Sequence, residues 1–383
     1  MKKSPNLSVG LVFDDSLDST DGVAQYVKTL GSWLTDQGHD VTYLVGETKI
    51  TNWGGGEVVS ASKNLKINWG GNNLSMPVWP DSKKIHNVIQ TKKFDVLHVQ
   101  VPYSPLMAQS VIRRATETTA VIGTFHVYPG NKRSVLGARL LRLVYGHSLG
   151  RFDQIVSVST AAAKFAKESL DIDSRVLPNV VDLSRFRKVK TAKQQKLRIV
   201  FLGRLVKRKG CQELLEAYNL LQSRLAGTEL IIAGDGPLRS SLENYVERYD
   251  LGEKVSFLGF VKETDKPALL GSADIACFPS LYGESFGIVL VEAMAAAAGV
   301  VLGGDNPGYK TVLGEQPSLL IDPRATAEFA NRLQELLKKN TATIKLHDWQ
   351  TKTVSQYDVE VVGPQLVAIY HQQIARRHKK SNN

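Results

Sequence analysis

Glu292 is the only charged residue in GIVLVEAMAAAAGVVL (287–302), a stretch otherwise fit for complete burial. A buried carboxylate left without a partner is costly, so Glu292 must meet a donor. That donor is either a structural group, such as a backbone amide, or the hydroxyls of a polar ligand. Glu284 stands eight residues earlier and is followed by Ser285, Phe286, Gly287 and Ile288. Alone, Glu284 is explained as a cap favoured by the helix dipole. The same helix start offers N–H groups to a phosphate. Two carboxylates around an amide-rich helix start suit a ligand that carries hydroxyls, a ribose and phosphates, as a nucleotide sugar does.

Three further places carry chemistry. In FLGRLVKRKG (201–210), Arg204 and Lys209 follow a strand that ends at Gly203, and two cations there can clamp a diphosphate. A solvated basic loop is the alternative. Gly22, in STDGVAQYV, sits at a helix start after the first strand, where a missing side chain lets the backbone approach a ligand or simply make a turn. No GxGxxG occurs at that point, which disfavours a nicotinamide cofactor. His126 closes the apolar run AVIGTFH (120–126) and is a candidate for substrate contact, although a lone histidine is more often structural. The other histidines form no HxxxH or HExxH pair, and neither Cys211 nor Cys277 has a ligand-spaced partner, so no metal site is expected.

The elements that position these residues alternate between strand and helix. LSVGLVF (7–13) reads as a buried strand, 22–37 as a helix ended by Gly38, and HDVTYLVG (39–46) as the next strand. This βαβ unit implies a parallel sheet. FDVLHVQ (94–100), AVIGTFH (120–126) and QIVSVS (154–159) continue the pattern. RFRKVKTAKQQK (185–196) is charged, lacks apolar periodicity and reads as a linker. The pattern then restarts with LRIVFLG (197–203), a helix over 211–225, TELIIAG (228–234), ADIACFPS (273–280) and a helix over 289–298. The expected architecture is α/β, with two Rossmann-like domains facing a central cleft. Residues 1–187 form the N-terminal domain, 188–361 the C-terminal domain, and 362–383 a basic helix packing back on the first.

Composition excludes other classes. The 383 residues are 43% hydrophobic and 22% charged, which fits a globular protein and not a disordered one. Two cysteines make no disulfide framework and point to a reducing, cytoplasmic setting. No apolar run spans a membrane, and MKKSPNLSVGLVF reads as mature protein without a signal peptide. Of the net charge of +11, +8 falls in residues 1–190. Such a field attracts nucleic acid, anionic membrane or phosphorylated substrates. Within that half, KRSVLGARLLRLVYG (132–146) mixes Arg133, Arg139 and Arg142 with leucines, which fits either an interfacial helix on anionic lipid or a core helix with solvated arginines.

In this order the pieces resemble the family-four glycosyltransferases of GT-B fold. GESFGIVLVEAMA (283–295) looks like that family's paired-glutamate signature, GRLVKRKG (203–210) like its diphosphate loop, DGVAQYV (21–27) like its glycine loop, and TFH (124–126) like its active-site histidine segment. PNVVDLSRF (178–186), IAGDGP (232–237) and VSFLGFV (255–261) complete the likeness. The resemblance implies a retaining enzyme that moves a hexose from a nucleotide-diphosphate sugar to a hydroxyl acceptor, with no metal or cofactor. It leaves open a lipid or cell-envelope glycan as acceptor, and peripheral contact with the inner face of the membrane. The resemblance implies an acceptor role for the domain of residues 1–187 and a donor role for that of residues 188–361. The chain also resembles the phosphatidylinositol mannosyltransferases. By resemblance the catalytic residues are His126, Arg204, Lys209 and Glu284. Arg204 and Lys209 hold the diphosphate and Glu292 the ribose. Glu284 contacts the sugar, with amides of Ser285, Phe286, Gly287 and Ile288 beside it. Gly22 approaches the diphosphate from the other domain, and His126 meets the sugar. Two departures stand out: AAAAGVV (295–301) replaces a Gly-Thr-Pro turn, and Val180 replaces a glycine. A GT-B epimerase or phosphorylase is the competing enzyme class. A nucleic-acid-binding protein is the competing class by charge, and it lacks any helix-turn-helix, zinc or aromatic RNA-binding signature.

Overall fold

The computed structural model describes residues 6–69, 72–102, 106–129, 149–187, 196–222, 227–338 and 340–381, with the backbone alone for 66–69 and 72–76. The basic segment 132–146 and most of the linker lie outside these residues. The chain divides into two compact units, one of residues 1–180 and 359–383 and one of residues 181–358.

The first unit is built on β1 (Ser8–Phe13), β2 (Asp40–Val45), β3 (Asn52–Trp53), β4 (Gly56–Ser60), β7 (Val96–Gln100), β8 (Ala120–Phe125), β9 (Gln154–Ser157) and β10 (Arg175–Val176), while β5 (Ser62–Trp69) and β6 (Asn72–Pro80) form a separate antiparallel hairpin. The order across the large sheet is β10-β9-β8-β7-β1-β2-β4-β3, parallel except at β3 with β4. Val9, Leu11, Val12, Val96, Leu97 and Val99 are fully buried, as expected of parallel strands covered on both faces. The hairpin has no counterpart in the sequence reading, because its stretch is polar, carries Gly70 and Gly71 and alternates weakly.

Helix Gly22–Asp36 starts on Asp21, whose carboxylate accepts the N–H groups of Val23 and Ala24 at 2.8 and 2.9 Å. It ends where Gly38, at φ +92°, donates to the Thr35 carbonyl while His39 donates to that of Leu34, a paired closure that needs a left-handed residue. The chain's terminal helix, Val359–Ser381, belongs to this unit. Its Val362, Leu366, Ile369 and Tyr370 enter the same apolar cluster as Val27, Leu30 and Trp33 of the first helix. Gly363 lies on the Trp33 ring, where a Cβ would come within 2.6 Å of the indole.

The second unit holds β11 (Leu197–Leu202), β12 (Thr228–Ala233), β13 (Val255–Gly259), β14 (Ile275–Phe278), β15 (Val300–Gly304) and β16 (Leu320–Ile321), all parallel, in the order β13-β12-β11-β14-β15-β16. It begins at Val181, earlier than the divide expected at 187/188, and ends at Asp358. The reason is local. Val181 donates to the Tyr357 carbonyl, and residues 185–187, read as linker, belong to the helix Ser184–Arg187 with Phe186 buried. After helix Ile288–Ala295 the chain turns through Ala297 at φ +56° before entering β15.

Left-handed backbone at a residue with a Cβ costs about 1–2 kcal/mol. Ala297→Gly therefore stabilises the protein by roughly 0.5–1 kcal/mol, after subtracting the larger unfolded-state entropy of glycine. Urea unfolding of the two proteins checks this; a loss of stability refutes the strain at Ala297.

Candidate active site

In each large sheet the chain starts in the middle, builds outward to one side and returns to build the other. The strand order reverses at β1/β7 in the first unit and at β11/β14 in the second. Loops at the carboxyl ends of such strands form binding crevices. The candidate residues lie on these loops or on the helices they feed.

In the second unit the loop after β11 (203–210) and the loop after β14 (279–287) are joined by backbone. Leu281 donates to the Arg208 carbonyl at 2.8 Å. Gly210 sits at φ +72° against the Pro279 carbonyl, with which any Cβ would overlap. This close approach brings Arg208 Nη1 to 2.9 Å and Lys209 Nζ to 2.7 Å from Glu284 Oε1. The Glu284 side chain is 11% exposed. Burial works against its charge, but Lys209 and Arg208 outweigh burial and hold its pKa below the usual carboxylate range. Ser280 also hydrogen-bonds Glu284 and lies 3.1 Å from the Tyr309 hydroxyl, while Asn306 Nδ2 donates to the Ser280 carbonyl. Phe286 is 2% exposed and stands edge-on to Tyr357, which anchors the loop, so only its backbone is placed to serve a ligand. Gly287, at φ +99°, begins helix Ile288–Ala295 with no side-chain cap on the helix start; Ser285 and Ile288 are half-buried.

The structure revises the expected clamp. Lys209 is engaged with Glu284, and Arg208, which the sequence reading passed over, shares that carboxylate. Arg204 is exposed, and its pKa is lowered by partial burial and by the like charge of Arg208. The loop after β11 therefore carries three cations, of which Arg208 and Lys209 share Glu284 and Arg204 feels the charge of Arg208.

Glu292 meets its donor in Lys266. The ammonium lies 3.0 and 3.2 Å from the two carboxylate oxygens and 2.9 Å from Glu263. Burial raises the Glu292 pKa against the pull of Lys266. Burial likewise lowers that of Lys266, but Glu292 and Glu263 outweigh it, so the lysine stays charged. Lys266 and Glu263 were missed. The cluster VKETDK (261–266), just beyond the carboxyl end of β13, was the available signal.

In the first unit His126 is 7% exposed, lies 2.8 Å from Gln100 Oε1 through Nε2, and packs edge-on against Tyr26 with ring centres 4.9 Å apart. Burial lowers its pKa to about 3, so the ring is neutral and carries no charge near neutral pH. The Gln100 Nε2 has no hydrogen-bond partner among the described residues, although Gln100 is buried. A bound oxygen would satisfy it. Gly22 has no left-handed backbone, and the N–H groups of Val23 and Ala24 are taken by Asp21. That helix start gives an anion close approach without those two donors. Val180 is buried in the core of the first unit.

Two parallel Rossmann-like units, the second with a cation–carboxylate cluster and an uncapped helix start at its switch point, define a protein built to handle a phosphorylated, hydroxyl-rich ligand. The comparisons narrow the class. Residues 20–185 match the family model "Glycosyltransferase Family 4" and residues 183–354 match "Glycosyl transferases group 1". The phosphatidyl-myo-inositol mannosyltransferase of Mycolicibacterium smegmatis is 30% identical over 374 residues, covering 95% of this chain and 93% of that protein. The enzyme of that name from Mycobacterium tuberculosis is 28% identical over 378 residues, covering 95% and 96%. Among solved structures, a glycosyltransferase from Rickettsia africae superposes with a TM-score of 0.76 at 17% identity over 96% of this chain and 98% of that one. HepE from Anabaena superposes at 0.75 with 16% identity over 95% and 99%. The chain belongs to the family-four, group 1 glycosyltransferases of GT-B fold, and it is a glycosyltransferase.

Two outcomes follow for the carboxylates. A depressed folded-state pKa means that the Glu284 contribution is present at neutral pH and is lost as pH falls through that lowered value. Glu284→Gln should therefore lower the melting temperature at pH 7, with the difference from wild type closing toward acid; a pH-independent difference refutes the pairing. Lys266→Ala strands a buried carboxylate and should destabilise by about 3 kcal/mol. Adding Glu292→Gln should recover part of that loss, a coupling read by a double-mutant cycle; strict additivity refutes it.

Proposed function

We propose that the protein transfers a hexose, with retention, from a nucleotide-diphosphate sugar to a hydroxyl on a lipid or cell-envelope glycan, without a divalent metal. The observation that carries this reading is the pairing of Arg208 and Lys209 with Glu284 at the β11/β14 switch point, with the charge of Arg204 close enough to be felt by Arg208. Charge develops on the departing diphosphate as the glycosidic bond breaks, and fixed cations in a partly desolvated loop stabilise it without reorganising. Glu284 is held ionised and rigid by the same cations, so its oxygens can accept hydrogen bonds from sugar hydroxyls. Glu292 accepts from the ribose while sharing Lys266. In the first unit, neutral His126 and the unpaired donor of Gln100 contact the reacting substrate.

The relatives support the acceptor class through their name, phosphatidyl-myo-inositol mannosyltransferase, and HepE supports the donor class as a protein solved with UDP-glucose. Among the described residues no helix is long and apolar enough to cross a membrane. The net charge of +11 favours peripheral contact with an anionic lipid surface, where such an acceptor would lie.

The test is a panel of nucleotide sugars with lipid and glycan acceptors in the presence of a chelator. NMR of the product gives the anomeric configuration, and a free epimer or a sugar phosphate as product would point to the competing enzyme classes. Arg204→Ala should lower turnover by about 2–4 kcal/mol in the transition state while leaving the apo melting temperature unchanged, because the side chain is exposed. Lys209→Ala should lower both, since it also removes one of the two cations that hold Glu284. Unchanged kinetics in Arg204→Ala would remove the diphosphate clamp.

A further inference from the structure

We propose that Tyr370, on the terminal helix, is a positioning residue for glycosyl transfer that acts on His126 through His98, Thr124 and Tyr26. The relay follows from strand register. β7 and β8 run parallel with His98 opposite Ile122 and Gln100 opposite Thr124. Each polar residue on β7 therefore reaches two places further along the neighbouring chain. His98 Nε2 lies 2.6 Å from Thr124 Oγ1, and Gln100 Oε1 lies 2.8 Å from His126 Nε2. Tyr26, from helix Gly22–Asp36, covers both steps. Its ring stands edge-on to His98 at 6.3 Å and to His126 at 4.9 Å, and its hydroxyl hydrogen-bonds Thr124. Tyr370 closes the line from the far end of the sequence, with its hydroxyl 2.7 Å from His98 Nδ1. All six side chains are buried.

The chemistry of a neutral imidazole makes this line directional. Burial lowers the pKa of both His98 and His126 to about 3, with the neighbouring His126 adding to the effect at His98. A neutral ring has one N–H and one acceptor nitrogen. At His98 both nitrogens are engaged, so whichever way Tyr370 is bonded fixes what His98 presents to Thr124. Thr124 in turn holds the Tyr26 hydroxyl, whose ring is the wall against His126. At His126 the Gln100 carbonyl takes the Nε2–H and leaves Nδ1 as an acceptor. Packing alone does not call for this arrangement, because an apolar core of the same volume is usually at least as stable as a buried polar one. The line runs to the residue that the proposed function places at the substrate, and it rests on that reading.

Tyr370→Phe removes one hydroxyl and keeps the packing. The expected result is a fall in kcat of about tenfold with donor KM within about twofold of wild type. A changed nitrogen chemical shift at His126, in histidine-labelled protein, should accompany it, with little change in melting temperature. Thr124→Ser should keep kcat near wild type and Thr124→Val should lose it, which tests the line if Tyr370→Phe does not fold. Unaltered His126 shifts, or a loss of kcat that only follows a loss of melting temperature, overturn the proposal. His126→Gln separates the two readings. If it is impaired while Tyr370→Phe is normal, the relay alone falls; if it is fully active, the role of His126 falls and the relay with it.

Discussion

A carboxylate that cannot be left alone organises the second unit. Glu284 is largely buried on one loop, and the cations that keep it ionised come from another. The two loops are therefore locked together by the requirement that the charge be paired. The backbone supplies the necessary proximity. Gly210 in left-handed conformation lets the β11 loop lie on the Pro279 carbonyl, and Leu281 bonds to Arg208 across the same seam. Ser280, Tyr309 and Asn306 then brace the β14 loop from behind. The helix start at Gly287 is placed by these contacts and by the buried ring of Phe286, and its own propensity adds little: the helix is apolar all round and short.

Both acidic residues of the signature thus carry a second duty. Glu284 anchors two loops, and Glu292 balances Lys266 and, through it, Glu263. Under the proposed function, a donor substrate does not enter an empty pair of acceptors. It shares oxygens already bonded to cations, so donor affinity reflects the difference between hydroxyl and ammonium as partners. The same arrangement pre-orients the carboxylates, which lowers the ordering cost of binding.

The first unit handles polarity differently. Its buried His98 and His126 are neutral, and Tyr370, His98, Thr124, Tyr26, Gln100 and His126 are linked along two strands, the first helix and the chain's last helix. Neutral groups present hydrogen-bond donors and acceptors without charge.

Much of this was legible in the sequence. The apolar runs of β1, β2, β7, β8, β11 and β12, the helix closed at Gly38, and the paired glutamates were read within a few residues, because a parallel strand buried on both faces and a helix closed by glycine leave local marks. That Glu292 needs a donor also followed from its apolar surroundings. Which donor it finds did not follow, because Lys266 is 26 positions away and meets it only through the packing of the helix after β13. Arg208 was overlooked for the same reason, since nothing in KRK distinguishes the cation that will reach Glu284 from its neighbours. The hairpin of β5 and β6 was missed because its alternation is weak. The start of the second unit was misplaced because the charged residues around Phe186 hide one buried ring. Sequence alone determined the elements, their parallel pairing and the residue types at the strand ends, since those depend on near neighbours and on periodicity. Only the tertiary structure decided which cation holds which carboxylate, that His126 is buried and neutral, and that Tyr370 belongs to its network, because desolvation and pairing depend on distances between residues that the chain itself keeps far apart.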